Sequence, residues 1–164
     1  MPNRRTLLLG GAAILAAGGG LFAWRRSGAA PEESFEIVKT DAEWRKILTA
    51  DEFAVLRNEA TERAFTSPLN DESREGVFAC AGCKLDLYSS KDKYKSGTGW
   101  PSFTRSLPDA VRTRPDRKLI LERTEVHCRR CGGHLGHVFD DGPAPTYKRH
   151  CLNGIALDFR PKQA

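Results

Sequence analysis

Four of the five cysteines stand in two C-x-x-C pairs, Cys80/Cys83 and Cys128/Cys131, and this constrains the fold more than any other feature of the chain. The two residues between the members of a pair let both sulfurs reach one metal ion. Two pairs complete a tetrahedral shell of four thiolates and leave no open position for chemistry. About 44 residues separate the pairs, more than in a compact zinc ribbon, so a shared structural Zn2+ would pin two distant parts of the chain together. His127 and His134 flank the second pair as substitute ligands, but four thiolates already fill the shell. Four thiolates bind iron as well as zinc, and two disulfides are the competing arrangement. Cys151 is then the thiol left free to react.

The 164 residues admit one domain plus whatever the ends carry. Residues 1–30 do not resemble part of it. Arg4-Arg5 precede an apolar, small-residue run from Leu7 to Trp24 that has no acidic side chain. A basic segment before such a run reads as an export signal, and the paired arginines point to the twin-arginine route. The run has the minimum length for spanning a bilayer, and Arg25-Arg26 follow it where a cleavage region would be small and polar, so an inner-membrane tether through residues 7–24 is the alternative. Either way the expected location is exported and periplasmic. Residues 31–38 read as a linker and 39–164 as the folded domain. The first thirty residues hold 4 of the 26 basic and none of the 21 acidic residues, so 22 basic face 21 acidic side chains in the remainder, a net +1. The basic balance therefore belongs to the leader and gives no sign of a nucleic-acid surface. A monomer is expected.

Exported cysteines tend to pair as disulfides, and five leave one over. A route that carries folded proteins removes the conflict, because metal can be loaded before export and metal-bound thiolates resist pairing.

Thr40-Asp41-Ala42-Glu43 and Thr49-Ala50-Asp51-Glu52 each match a capping box, which predicts two short helices. Trp44, Ile47 and Leu48 fit one face of the first; Phe53, Leu56 and Ala60 continue the pattern until Ser67-Pro68. After Asn70, short β-branched and aromatic runs broken by Gly and Pro predict strands over Gly76–Ala79, Leu85–Ser89, Ala110–Thr113, Leu119–Val126, His137–Phe139, Tyr147–Leu152 and Ile155–Phe159. Asn153-Gly154 between the last two predicts a tight hairpin.

Around Cys151 several residues suit thiol chemistry. Arg149 shares its strand face two residues away, and a cation there favours the thiolate. His134 and His137 offer imidazoles that move protons near neutral pH. Trp100 and Phe103 sit on a Gly-rich, Pro-stiffened loop, Ser96 to Phe103, as an aromatic wall able to receive a methyl group. Each has a blander explanation: a buried inert cysteine, or aromatics that are plain core.

The segments Cys-x-x-Cys, Gly-x-Gly-Trp-Pro-Ser-Phe, Cys-x-x-Cys-Gly-Gly-His-Leu-Gly-His-Val-Phe-Asp-Asp-Gly-Pro and Arg-x-Cys-x-Asn follow one another over roughly residues 35–162. In this the chain resembles the methionine-R-sulfoxide reductases of the MsrB family. The resemblance implies a mainly β (α+β) domain of two facing antiparallel sheets with short N-terminal helices. It implies reduction of methionine-R-sulfoxide in oxidised proteins or peptides, with Cys151 as nucleophile and Trp100 receiving the substrate methyl beside Phe103. His134, His137 and Asn153 would hold the sulfoxide oxygen, Arg149 would favour the thiolate, and Cys80, Cys83, Cys128 and Cys131 would bind Zn2+. Many relatives carry a resolving cysteine where this chain has Thr98, which implies that a small thiol or thioredoxin-like partner regenerates Cys151 directly. Gly154 also departs from relatives that often have serine there. The rivals are a zinc-knuckle binding module with an inert Cys151 and a thiol peroxidase, the latter leaving the paired aromatics and histidines without a task.

Overall fold

A computed structural model describes residues 33–118 and 120–163; the leader and the start of the linker lie outside the described residues. No helix among the described residues is long and apolar enough to cross a membrane. Both capping boxes form. Thr40 opens α1 (Asp41–Trp44) and Thr49 opens α2 (Ala50–Asn58), and each threonine N–H donates to the glutamate three residues on, at 2.8 and 2.7 Å. α1 is a single turn, so Trp44 and Leu48 are buried while Ile47 stays exposed. α2 stops before Ala60, because Glu59 takes a left-handed conformation (φ 56°) and Ala60 N–H returns to Ala54 O.

Nine strands follow among the described residues: β1 (Gly76–Cys80), β2 (Asp86–Ser89), β3 (Lys93–Tyr94), β4 (Ser102–Phe103), β5 (Val111–Asp116), β6 (Arg123–Cys128), β7 (His134–Phe139), β8 (Arg149–Leu152) and β9 (Leu157–Pro161). They form two antiparallel sheets, β2-β1-β9 and β3-β4-β8-β7-β6-β5, matching the expected mainly β class. Phe78 of the first sheet meets Phe103 of the second edge-on at 4.9 Å, and Tyr88, Leu87, Leu135 and Leu152 complete a core with no exposed surface.

The expected Asn153-Gly154 hairpin does not form. β8 and β9 belong to different sheets, joined by a 3-10 turn over Gly154–Ala156. A two-residue I′ turn needs positive φ at both central positions, and Asn153 holds φ at −66°. Its side chain explains why: the amide donates to Leu135 O at 3.1 Å and accepts from Glu62 N at 2.8 Å, which ties the chain to neighbouring elements. Residues 33–37, placed in the linker by sequence, run against the second C-x-x-C segment. Ile37 N donates to Arg130 O, and Phe35 meets His127 edge-on at 5.8 Å.

One irregularity positions the site. On β7, Val126 pairs with Gly136 but His127 pairs with His134, so Leu135 is an extra, bulged residue. Three residues apart on a regular strand, His134 and His137 would face opposite sides. The bulge brings their rings to 5.4 Å on one side. Gly136 (φ 156°) lies against β8, where an added Cβ would clash with the Cys151 carbonyl oxygen and come within 2.9 Å of Leu152 Cα. Gly136→Ala is therefore expected to push β7 from β8 and cost about 3 kcal/mol, as overpacking of fixed backbone does. Urea unfolding of the variant beside wild type measures this, and an unchanged midpoint would refute the close approach.

Candidate active site and thiol cluster

Each C-x-x-C follows the end of a strand. Cys80 ends β1 and Cys128 ends β6, one strand from each sheet. Both segments fold back alike: Lys84 N donates to Cys80 O, and Gly132 N to Cys128 O. The residue four after the first cysteine takes positive φ in both, Lys84 at 60° and Gly132 at 67°. The sequence marks the second of these with glycine, whereas in the first the lysine, not Gly82, adopts the turn.

The four sulfurs lie within 4.8 Å of one another. Cys80 and Cys131 approach to 3.8 Å and Cys83 and Cys128 to 3.5 Å, far longer than a disulfide bond, and all are free. A tetrahedron of zinc–sulfur bonds of about 2.3 Å has edges of about 3.8 Å, so the spacing fits a four-thiolate metal shell. The titration of the group says the same. Hydrogen bonding from Cys128 and Cys83, with burial, outweighs Cys80 and holds Cys131 well above the ordinary thiol range, while Cys83 and Cys128 are held below it. Four thiolates this close need a cation. His127 and His134 stay outside the cluster, bonded to Glu33 at 3.0 Å and Glu125 at 2.8 Å.

The second site is a row of side chains running across the larger sheet. In register, Arg114 faces Glu125, Glu125 faces His137, His137 faces Cys151 and Cys151 faces Ser102. Directly opposed residues share a face, so the pleat alone lines these groups up. Half-buried Cys151 opens into a cleft of about 110 Å3 lined also by Trp100, Arg123, His137, Phe139 and Asn153. His150, adjacent in sequence, turns to the opposite face and bonds Tyr88 at 3.0 Å; burial pushes it down to about 4, with Lys148 adding to the effect.

The predicted residues are thus only partly brought together. Arg149 lies on the Cys151 side, bonded twice to Asp141 at 2.8 Å and stacked on Phe139 at 4.4 Å. Its charged form is favoured chiefly by Asp141 and also by Cys151. Trp100 borders the cleft, its indole N–H held by Glu62 O at 2.9 Å. Phe103 does not border it; it is fully buried against Tyr88, ring centroids 4.6 Å apart, and Phe139 supplies the second aromatic wall. His134 is buried behind His137 rather than lining the cleft. Thr98 brings its hydroxyl to 3.8 Å from Cys151 Sγ.

Three carboxylates escaped the sequence reading. Asp116 bonds His137 Nε2 at 2.8 Å and Arg123 at 2.6 Å, and the His137 bond is the main reason its pKa lies well below the usual range. Burial keeps His137 below the usual imidazole range despite this partner. Burial pushes Glu125 up, but His134 and Arg114 outweigh it and hold the pKa at about 2. Glu62 anchors both walls of the cleft: its carbonyl holds Trp100, its N–H binds Asn153, and its carboxylate accepts from Gly154 N at 2.6 Å. Burial raises the Glu62 pKa. No motif marks these residues, since their partners lie 7 to 92 positions away.

A family model described as the SelR domain matches residues 48–161. The chain is 51% identical over 130 residues to a peptide methionine sulfoxide reductase MsrB of Leifsonia xyli subsp. xyli, covering 78% of this chain and 94% of that one. Proteins of the same name from Thiobacillus denitrificans (50% over 125 residues; 76% and 95%) and Methanosarcina barkeri (47% over 128; 77% and 90%) are similarly related.

Glu125 generates a pH signature. A carboxylate held at about 2 in the folded chain, against 4.5 ordinarily, contributes stability above pH 4.5 that is lost as pH falls toward 2. The contribution is on the order of 3 kcal/mol at neutral pH. Glu125→Gln should lower neutral stability by that order and flatten the acid limb; identical pH profiles of unfolding free energy would refute the role.

Proposed function

The chain belongs to the SelR-domain family of MsrB methionine sulfoxide reductases, and from that premise we propose that it is a peptide-methionine (R)-S-oxide reductase working through Cys151. The observation that carries this is the register that sets Cys151 opposite His137, in one cleft with Trp100 and Asn153. The substrate methyl rests on Trp100, whose indole is fixed by Glu62. Asn153 has both amide atoms bonded to backbone, so it chiefly fixes the cleft, with one N–H left for the substrate oxygen.

His137, kept neutral by burial, takes the Cys151 proton as the thiolate forms. Arg149 supports the developing charge. The thiolate attacks the sulfoxide sulfur, the sulfur–oxygen bond breaks, and His137 returns the proton to the oxygen. The hydroxide so released bonds to Cys151 Sγ, the sulfur–sulfur bond made by the attack breaks, methionine leaves with its electron pair, and Cys151 becomes a sulfenic acid. Two thiol equivalents then restore Cys151, giving a disulfide of the reductant and water. With Thr98 beside the sulfur and four cysteines in the cluster, an external thiol or thioredoxin-like protein supplies them. The cluster residues Cys80, Cys83, Cys128 and Cys131 would hold a structural zinc that joins the sheets and takes no part in the reaction. Residues 1–30 direct export to the periplasm, as a removed signal or a retained tether; the N-terminal sequence of the exported protein distinguishes the two.

Purified protein with dithiothreitol should reduce the R epimer of methionine sulfoxide alone, and Cys151→Ser should abolish turnover. Reduction of neither epimer by folded, metal-loaded protein would refute the activity and favour a zinc-knuckle binding module with an inert Cys151.

Elemental analysis should find one zinc per chain. Stripping the metal should lower Tm by roughly 20 °C, the equivalent of about 5 kcal/mol in a domain of this size. An unmoved Tm would remove the structural role.

A further inference from the structure

β5 and β6 are closed at their ends by the Asp116–Arg123 ion pair at 2.6 Å, and Arg117 and Glu122 pair again at 2.6 Å just beyond. A turn held in this way needs no apolar residues, and turns are ordinarily polar. Here the tip carries Ile120, fully exposed, and Leu121, 78% exposed. With Val138 and Phe139 they line an open, mainly apolar groove of about 710 Å3. Large aliphatic side chains gathered on a surface mark a contact rather than a core.

The groove adjoins the Cys151 cleft, with Arg123 and Phe139 lining both. We propose that the Ile120–Leu121 tip docks the apolar residues flanking a methionine sulfoxide in an unfolded stretch of protein, which deepens the reductase reading and rests on it. An extended chain advances about 3.3 Å per residue and alternates its side chains. With the sulfoxide in the cleft, a flanking stretch of such a chain would reach the groove across Arg123 and Phe139. Methionines buried in a core have apolar neighbours, and such a segment becomes accessible when its protein unfolds. The surface thus selects the sequence context in which a buried methionine is found.

The test compares the full-length chain with its I120S/L121S variant on three R-sulfoxide substrates: N-acetylmethionine sulfoxide, a peptide with Leu and Val flanking the sulfoxide, and the same peptide with Ser and Gly. The variant should raise KM about tenfold for the apolar peptide, the scale of losing one buried aliphatic contact, and leave the other two unchanged. Unchanged KM for all three overturns the proposal. An equal loss on all three also overturns it, because the tip would then act through Asp116 and His137 on the chemistry. A wild-type chain that dimerises through the tip, shown by sedimentation and abolished in the variant while peptide KM stays constant, assigns the surface to a second copy and overturns docking. No turnover of any R-sulfoxide by wild type is a different failure, that of the reductase reading itself.

Discussion

Four sulfurs gathered within 4.8 Å would, around a metal ion, hold the two sheets to each other, since one pair extends the end of β1 and the other the end of β6. Few other features could do this over so short a chain. The smaller sheet has three strands, and the helices contribute only a turn and a nine-residue segment. Leu56 of α2 approaches both glycine-bearing turns, at Gly82 and Gly133, so the helix packs onto the cluster rather than forming a layer of its own. Crowded, buried thiols cannot all ionise together: hydrogen bonds favour the thiolate at Cys83 and Cys128 and the protonated form at Cys131. The same crowding that makes the bare cluster unfavourable makes it fit a divalent cation, which would turn a local electrostatic conflict into a clamp between sheets.

Fixing β6 also fixes the polar row, because β6 lies between β5 and β7 and carries Glu125. Along that row each ionised group has a partner: Arg114 meets Glu125, Glu125 meets His134, and Asp116 meets both His137 and Arg123. Each buried charge therefore has an opposite or hydrogen-bonding neighbour, and its desolvation is offset within the row. Cys151 stands where the row meets the cleft. The bulge at Leu135 is what admits two imidazoles to one side of a strand three residues apart, and Gly136 lets β7 come close enough to β8 for that side to face the sulfur. Arrangement of the site is thus a consequence of one extra residue in one strand.

Much of this is legible in the sequence where the signal is local. The capping boxes at Thr40 and Thr49 depend on residues three apart and form as read, and both C-x-x-C pairs gather their sulfurs, although the first turns at Lys84 rather than Gly82. Cys151, Trp100, His137, Arg149 and Asn153 stand in short contiguous motifs. What was not legible rests on distant partners. The Asn153-Gly154 turn has a strong local preference for a hairpin, overridden by Glu62 some ninety residues away. Asp116 and Glu125 carry no motif; only the register of β5, β6 and β7 makes them partners of histidines. Phe103 reads as a wall beside Trp100, but Pro101 and the pleat of β4 turn it inward to Phe78 and Tyr88. Strand ends moved for the same reason: β7 starts at His134 because pairing with β6 continues through the bulge.

Thr98 ties the geometry to the proposed cycle. Ser102, opposite Cys151, bonds Ser96 at 2.7 Å; Ser96 bonds Thr98 at 2.9 Å; Thr98 returns to Cys151 Sγ at 3.8 Å. The sulfur therefore ends a chain of hydroxyls, each able to rotate its proton toward whichever neighbour gains negative charge. Such a chain suits a sulfur that alternates between thiol, thiolate and sulfenic acid, because no heavy atom has to move between states. A thiol in place of Thr98 would capture the sulfenic acid within the chain and close the cleft to outside reductants. A hydroxyl cannot, so in the proposed cycle the oxidised sulfur would stay in a half-open cleft until an external thiol reached it. The same exposure leaves it open to further oxidation, and the only protection is the speed with which that thiol arrives. On this reading the supply of an external thiol, rather than the chemistry at Cys151, would set how fast the proposed cycle runs.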